Sequence, residues 1–162
     1  MTPKEAPRVT PKEKLSLDDV DKRIIEQLQE DGRRPYTQIA PVVGLSEAAV
    51  RQRVQRLVDA GVIQIVGVTD PKMVGFGRQA MIGLTVEGDT RKVADAVAAM
   101  DEVVYVVLTA GSLDVLIEVV VKDDEQLLEL LNDKIRAIDG VRDTESFMYL
   151  RIHKETYAWG AP

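Results

Sequence analysis

Three observations predict an α+β chain in two parts. Between Ser16 and Gly61, apolar residues recur every three or four positions, which is helical periodicity. From Gln79 to His153, short β-branched runs alternate with helical stretches in the order β-α-β-β-α-β, the split arrangement of a ferredoxin-like domain. Between the two, Asp70-Pro71-Lys72 with Gly75 and Gly77 marks a turn and a joint. The expected plan is a tail over 1–14, a (winged) helix-turn-helix domain over 15–66, a strand and linker over 67–78, and a C-terminal ferredoxin-like βαββαβ domain over 79–157.

Met1 to Lys14 holds three prolines and alternating charges with almost no large apolar residue, so it reads as disordered. Its Lys4, Arg8, Lys12 and Lys14 could touch phosphate, but a plain flexible tail is the stronger reading. Ser16 is a good cap for a first helix, with Asp18 and Asp19 in its positive first turn. Leu17, Val20, Ile24 and Leu28 make the apolar stripe, Ile25 widens it and Gly32 ends it. Thr37 is expected to cap a second helix, in which Pro41 is awkward because proline beyond the first turn removes a hydrogen bond. Gly44 suits a tight turn, Ser46 caps a third helix with Glu47 in its first turn, and Val50, Val54 and Leu57 form the buried stripe. After Gly61, the run Val62 to Val68 reads as a strand or wing.

In the second half, strands are expected at Gln79 to Glu87, Val103 to Thr109, Asp114 to Lys122 and Val141 to His153. Asp89 or Thr90 caps a helix whose Val93, Ala94, Val97 and Met100 face inward. Asp123 with Gln126 makes a capping box before Leu127, Leu128, Leu131, Ile135 and Ile138. The middle strands are apolar on both faces: Val104, Val106 and Leu108 against Val103, Tyr105 and Val107, then Val115, Ile117, Val119 and Val121 against Leu116 and Val120. Two helices cover one sheet face only, so the other face calls for the sheet of a second subunit or for the C-terminal tail folded over it.

Composition narrows the chemistry. The chain has 162 residues, a net charge of −6, no cysteine and one histidine, His153. Disulfides, thiolate catalysis and most transition-metal sites are thereby excluded, and neither a cofactor nor a metal site is expected. With no signal peptide and no apolar run near membrane-spanning length, the expectation is a cytoplasmic protein without a membrane partner. Residues 1–66 carry 11 Lys/Arg and 10 Asp/Glu, a net of +1, so the acidic excess lies wholly in the second half. One copy is a weak electrostatic match for DNA, and useful affinity calls for linked copies.

Chemistry concentrates at Thr37 to Gly61. Ala40, Gly44 and Val50 fall where a helix-turn-helix needs a small contact, a turn glycine and a core anchor. Ser46, Glu47, Arg51, Gln52, Gln55 and Arg56 lie off the buried stripe, and Arg and Gln can read base edges or grip phosphate. Two amphipathic helices about a glycine also occur in proteins that never meet DNA, and there the arginines only solvate a face.

The strings LDDVDKRIIEQLQEDGR and GLSEAAVRQRVQRLVDAGVI, the DP-x-x-x-G turn at Asp70 to Gly75, and TAGSLD at Thr109 to Asp114 resemble the Lrp/AsnC (feast/famine) regulators over about residues 15–157. The resemblance implies a bacterial or archaeal, nucleoid-associated transcription regulator that binds double-stranded DNA, forms homodimers and often octamers, and responds to an amino acid or related small metabolite bound at subunit interfaces. It places Ser46, Glu47, Arg51, Gln52, Gln55 and Arg56 on the recognition helix, and matches Arg53 to a family arginine that is either a structural ion pair or a phosphate contact. It matches Gly111 and Asp114 to the effector loop, where Asp114 would receive an α-ammonium group. Tyr105, Thr109, Ser112, Leu113, Phe147 and Met148 would be its neighbours, in a final-strand region from Glu145 to Met148. A hairpin turn uses Gly and Asp as well. The chain departs from the family at Pro41 and in lacking acidic and aromatic residues within TAGSLD.

The regulator reading stands against an architectural protein that wraps DNA without an effector, and against an enzyme built on the second half. The near-neutral first domain disfavours the wrapper, and no phosphate loop, histidine dyad or paired carboxylates support the enzyme.

Overall fold

In the computed structural model, residues 15–161 are described, and the expected tail over 1–14 lies outside them. The chain divides into two compact units. One runs to Val68 and takes in 154–161; the other is Thr69–His153.

The first unit is three helices: α1 Asp19–Glu30, α2 Tyr36–Val43 and α3 Glu47–Asp59. Ile24, Ile25, Leu28, Ile39, Ala40, Val43, Val50, Val54 and Leu57 form one buried core, as the helical periodicity requires. Asp18, not Ser16, caps α1. Its carboxylate accepts from Asp21 N at 2.7 Å, and the Asp21 carboxylate accepts from Asp18 N at 3.3 Å. This reciprocal box satisfies two donors where Ser16 would satisfy one, and it turns Leu17 against the core.

Pro35, not Thr37, precedes α2; its carbonyl receives Gln38 N and Ile39 N, and the helix has no side-chain cap. Pro41 stands inside this helix and has no N–H to give the Thr37 carbonyl. Gly44 takes φ +74°, and Leu45 N closes back on Ala40 O at 3.0 Å. Ser46 caps α3 by accepting from Ala49 N at 3.3 Å. The helix ends with Val62 N on Leu57 O and Gly61 N on Val58 O, both 2.9 Å, a Schellman ending.

No wing follows. Residues 62–68 pair with no strand among the described residues, although Ile63 packs on the helical core. A β-branched run pairs only when an edge is within reach, so propensity was overridden by the absence of a partner. The C-terminal stretch joins this same unit: Gly160 N donates to Gln29 Oε1 at 3.0 Å, and Ala161 packs against the core.

The second unit carries β1 Arg78–Val86, α4 Thr90–Ala98, β2 Val103–Leu108, β3 Val115–Val121, α5 Asp124–Glu129 and β4 Val141–Met148. The sheet order is β2-β3-β1-β4 and every pairing is antiparallel. Ala80, Ile82, Leu84, Val115, Ile117, Val119 and Val121 bury one face against Val93 and Val97 of α4 and Leu127, Leu130 and Ile135 of the last helix. Arg78 clasps Asp124 through Nε and Nη2 at 2.5 and 2.9 Å, tying β1 to α5.

Four expectations are corrected here. A bulge between Val103 and Tyr105 shifts the phase of β2, so Val103 and Val106 pack on the helix side while Tyr105 and Val107 share the open face. The last helix passes into a π-helical segment, Leu130–Ile135, whose wider turn buries Leu130 and Ile135 together although they are five residues apart, while Leu128 in α5 is 52% exposed. Gln126 does not complete the capping box with Asp123 N; its side-chain oxygen accepts from Lys122 N at 2.8 Å instead. The last strand also stops at Met148, five residues before His153.

Candidate nucleic-acid interface and effector loop

Helix α3 presents Arg51, Gln52, Gln55 and Arg56 on one face. With Asp59 and Ala60 they line an open groove of about 700 Å³. Positions i, i+1, i+4 and i+5 share a face opposite the Val50, Val54 and Leu57 stripe, so the core fixes which side chains meet solvent. Gln52 is exposed on that face, and Gln55 donates to Asp59 at 2.8 Å. Ser46 spends its hydroxyl oxygen on the cap, and Glu47 accepts from Arg51 Nη2 at 2.7 Å. The arginines of α3 are therefore internally matched.

Arg53 Nη1 donates to Asp18 at 2.7 Å and to Asp21 at 2.8 Å, so its ion-pair role is realised in the structure. Arg56 Nη2 reaches Asp21 at 2.5 Å while its side chain stays 45% exposed. Asp18 titrates below the ordinary aspartate range, first because the Asp21 amide donates to it and next because Arg53 does; Arg53 is correspondingly raised. Reading the sequence by single residues missed this cluster. The signal was the D-x-x-D spacing of Asp18 and Asp21 opposite two arginines three residues apart. It also missed Tyr36, whose ring lies 5.2 Å from the Arg51 guanidinium.

In the second unit, Thr109, Gly111, Ser112, Leu113 and Asp114 form one loop. Thr109 N closes it on Asp114 O at 3.0 Å, and Thr109 Oγ1 donates to Leu113 O at 2.5 Å. Asp114 stitches the loop to β1: its amide donates to Leu84 O at 2.9 Å, and its Oδ2 accepts from Val86 N at 2.8 Å. Leu113 lies flat on β1 because residue 83 is glycine; a Cβ there would meet Leu113 Cδ1 at 2.3 Å.

The other nominated residues do not join that loop within one chain. Tyr105 belongs to edge strand β2, and Phe147 and Met148 to the opposite edge β4, three strand spacings or about 14 Å away. Register puts Phe147 opposite Met81 and Met148 opposite the buried Ala80, so the two face opposite sides of the sheet. A separate cavity of about 470 Å³ is lined by Phe76, Val104 and Val120 with Asp101 and Glu102 at its rim, and by none of the nominated residues.

Comparison with known proteins assigns the two units. Residues 17–58 match the AsnC-type helix-turn-helix domain, and residues 79–159 match the Lrp/AsnC ligand binding domain. The HTH-type transcriptional regulator FL11 of Pyrococcus furiosus is 37% identical over 142 residues, covering 86% of this chain and 93% of that protein. LrpA of Pyrococcus abyssi is 35% identical over 133 residues, covering 77% and 90%. Among solved structures, Escherichia coli AsnC superposes with a TM-score of 0.78 at 25% identity, covering 88% of this chain and 98% of that one. A Neisseria meningitidis transcriptional regulator in complex with L-Met gives a TM-score of 0.78 at 28% identity, covering 91% and 97%. With a helix-turn-helix whose third helix bares a polar groove, a βαββαβ sheet, and both domain matches in the same order, the chain belongs to the Lrp/AsnC family of DNA-binding transcriptional regulators.

Proposed function

We propose that α3 enters the major groove and reads operator sequence through Arg51, Gln52 and Gln55, with Arg56 and the α3 N-terminus at Ser46 and Glu47 set against the backbone. The observation that carries this is the α3 face itself, where these side chains line one open groove clear of the core. Arg and Gln are the side chains that make bidentate contacts to guanine and adenine edges.

The second unit is proposed to bind an amino acid or related metabolite at the loop 109–114. Asp114 Oδ1 would take the ammonium group while Oδ2 stays on Val86 N, with Gly111 and Ser112 beside the ligand. The Neisseria regulator solved with L-Met supports an effector of this class. Tyr105 and Phe147 sit too far apart to complete a pocket in one chain, which favours a site shared between subunits.

The open sheet face supports a homodimer. Tyr105, Val107, Leu116, Val120 and Phe147 lie on it with Met81, and a second sheet would cover them. Assembly beyond the dimer, to an octamer, would multiply the small charge of each helical unit. The role is regulatory rather than catalytic, exercised on the nucleoid in a bacterial or archaeal cytoplasm.

The test is fluorescence anisotropy of the protein on DNA from upstream of its own gene against a scrambled duplex, at two salt concentrations, with each common amino acid. A preference for the native duplex that one or two amino acids shift, and that Asp114→Ala blunts, supports the reading. Equal, unresponsive binding to both duplexes would support an architectural role instead. Lack of binding at low salt would overturn the DNA-reading role.

A further inference from the structure

Of the three arginines on α3, Arg53 and Arg56 bind Asp21 on α1, whereas Arg51 binds within its own helix and against α2. Its guanidinium carbon lies 5.2 Å from the centre of the Tyr36 ring, and its Nη2 donates to Glu47 Oε1 at 2.7 Å. Tyr36 opens α2, and Glu47 and Arg51 stand one turn apart on α3. Two side chains, one from each helix, thus define where one flexible cation points.

The two contacts use different parts of the guanidinium. An aromatic face attracts the cation through its ring charge distribution and takes no N–H. Glu47 occupies one donor of five, so the rest of the fork remains on the edge. The Arg51 side chain is 65% exposed, in the groove it shares with Gln52 and Gln55. A one-turn pair in water is weakly held and screened, so Glu47 yields to a better acceptor at little cost. Tyr36 is different: its ring packs against the helical core and stays in place. Arg51 also lies in the first half of α3, the part of a recognition helix that reaches base edges.

We propose that Tyr36 is a positioning residue that holds Arg51 flat for bidentate reading of a guanine, with Glu47 as its exchangeable tether. This rests on the DNA-reading role of α3. Pre-ordering an arginine reduces the freedom lost on contact, and a planar fork matches guanine O6 and N7 where a lysine does not.

The test is selection from a randomised duplex pool with the full-length protein, run for wild type, Tyr36→Phe, Tyr36→Leu and Arg51→Lys, with the salt dependence of binding measured on the selected duplex. Wild type should enrich a site with a defined guanine in each half. Arg51→Lys keeps the charge and should lose the preference for that guanine by roughly tenfold, leaving the other positions and the salt slope unchanged. Tyr36→Leu should relax the same position, and Tyr36→Phe, which keeps the ring, should behave as wild type. Circular dichroism checks that Tyr36→Leu folds; if it does not, Arg51→Lys and Tyr36→Phe decide the matter, because position 51 is exposed and the Phe ring preserves the packing. Selected sites identical to wild type in both Arg51→Lys and Tyr36→Leu would overturn the proposal. So would a uniform loss on all duplexes that leaves the preferred guanine in place, the mark of a contact outside the base edges. If wild type itself enriches no sequence, the underlying DNA-reading role fails instead.

Discussion

Arg56 Nη2 meets Asp21 Oδ2 at 2.5 Å, and the Asp21 side chain is 1% exposed. With Arg53 on the other oxygen at 2.8 Å, one buried carboxylate of α1 locks the recognition helix by two arginines. Asp21→Ala removes the charge, the return bond of the α1 capping box and both ion pairs. It should cost about 2–4 kcal/mol, and Asp21→Asn roughly half of that, since the arginines keep partial access to water. Urea denaturation at 25 °C measures both. Removing the Asp21 charge leaves Arg56 unshared for the backbone contact proposed for it, so the salt slope of DNA binding should steepen by up to about one.

Asp18 supplies the pH dependence. Its folded pKa lies below the ordinary value, so it contributes stability above the unfolded pKa near about 4, and that stability is lost as pH falls through the lower folded value. The thermal midpoint should therefore fall as pH drops below about 5, and fall less steeply in Asp18→Asn, which keeps a capping side chain. Equal slopes in the two proteins would show that Asp18 carries none of it.

Two glycines differ in what surrounds them. A Cβ at Gly77 would meet Lys122 O at 2.6 Å, a backbone atom already receiving Gly77 N, so Gly77→Ala should cost about 1–3 kcal/mol. At Gly83 the obstacle is Leu113 Cδ1, the end of a flexible side chain, and Gly83→Ala should cost under about 1 kcal/mol. The milder variant displaces Leu113 and the loop 109–114, so it should lose amino-acid response in the anisotropy assay while its thermal midpoint barely moves.

The open sheet face predicts assembly. Val107 pairs with Leu116 on that face. Val107→Glu should yield a monomer in sedimentation velocity at micromolar concentration, with its circular dichroism unchanged and its DNA affinity lowered at least tenfold by loss of the second half-site. An unchanged sedimentation coefficient would remove this face from the interface.

The parts of this fold that obey one period were legible in the sequence. Val50, Val54 and Leu57, or Val115, Ile117, Val119 and Val121, report burial by spacing alone, and Ser46 and Gly44 announced a cap and a turn. The parts that break a period were not. The bulge after Val103 and the π turn at Leu130 each insert a phase shift that no local propensity encodes, because both are decided by what packs opposite. The candidate reading face was legible for the same reason as the core, being its complement. The partners of its arginines were not, since Asp21 is 32 residues from Arg53 and 35 from Arg56.

The internal matching of the α3 arginines bears on how such a regulator searches a genome. Random sequence offers only phosphates, and a helix whose Arg53 is held by Asp18 and Asp21, and whose Arg56 shares Asp21, gains little from them. Residence on wrong sites is then brief, and few molecules are sequestered along the chromosome. Occupancy of an operator would then depend on how many subunits arrive together. If the chain assembles as proposed, a shift in assembly would be enough to change operator occupancy without a change in any contact with DNA.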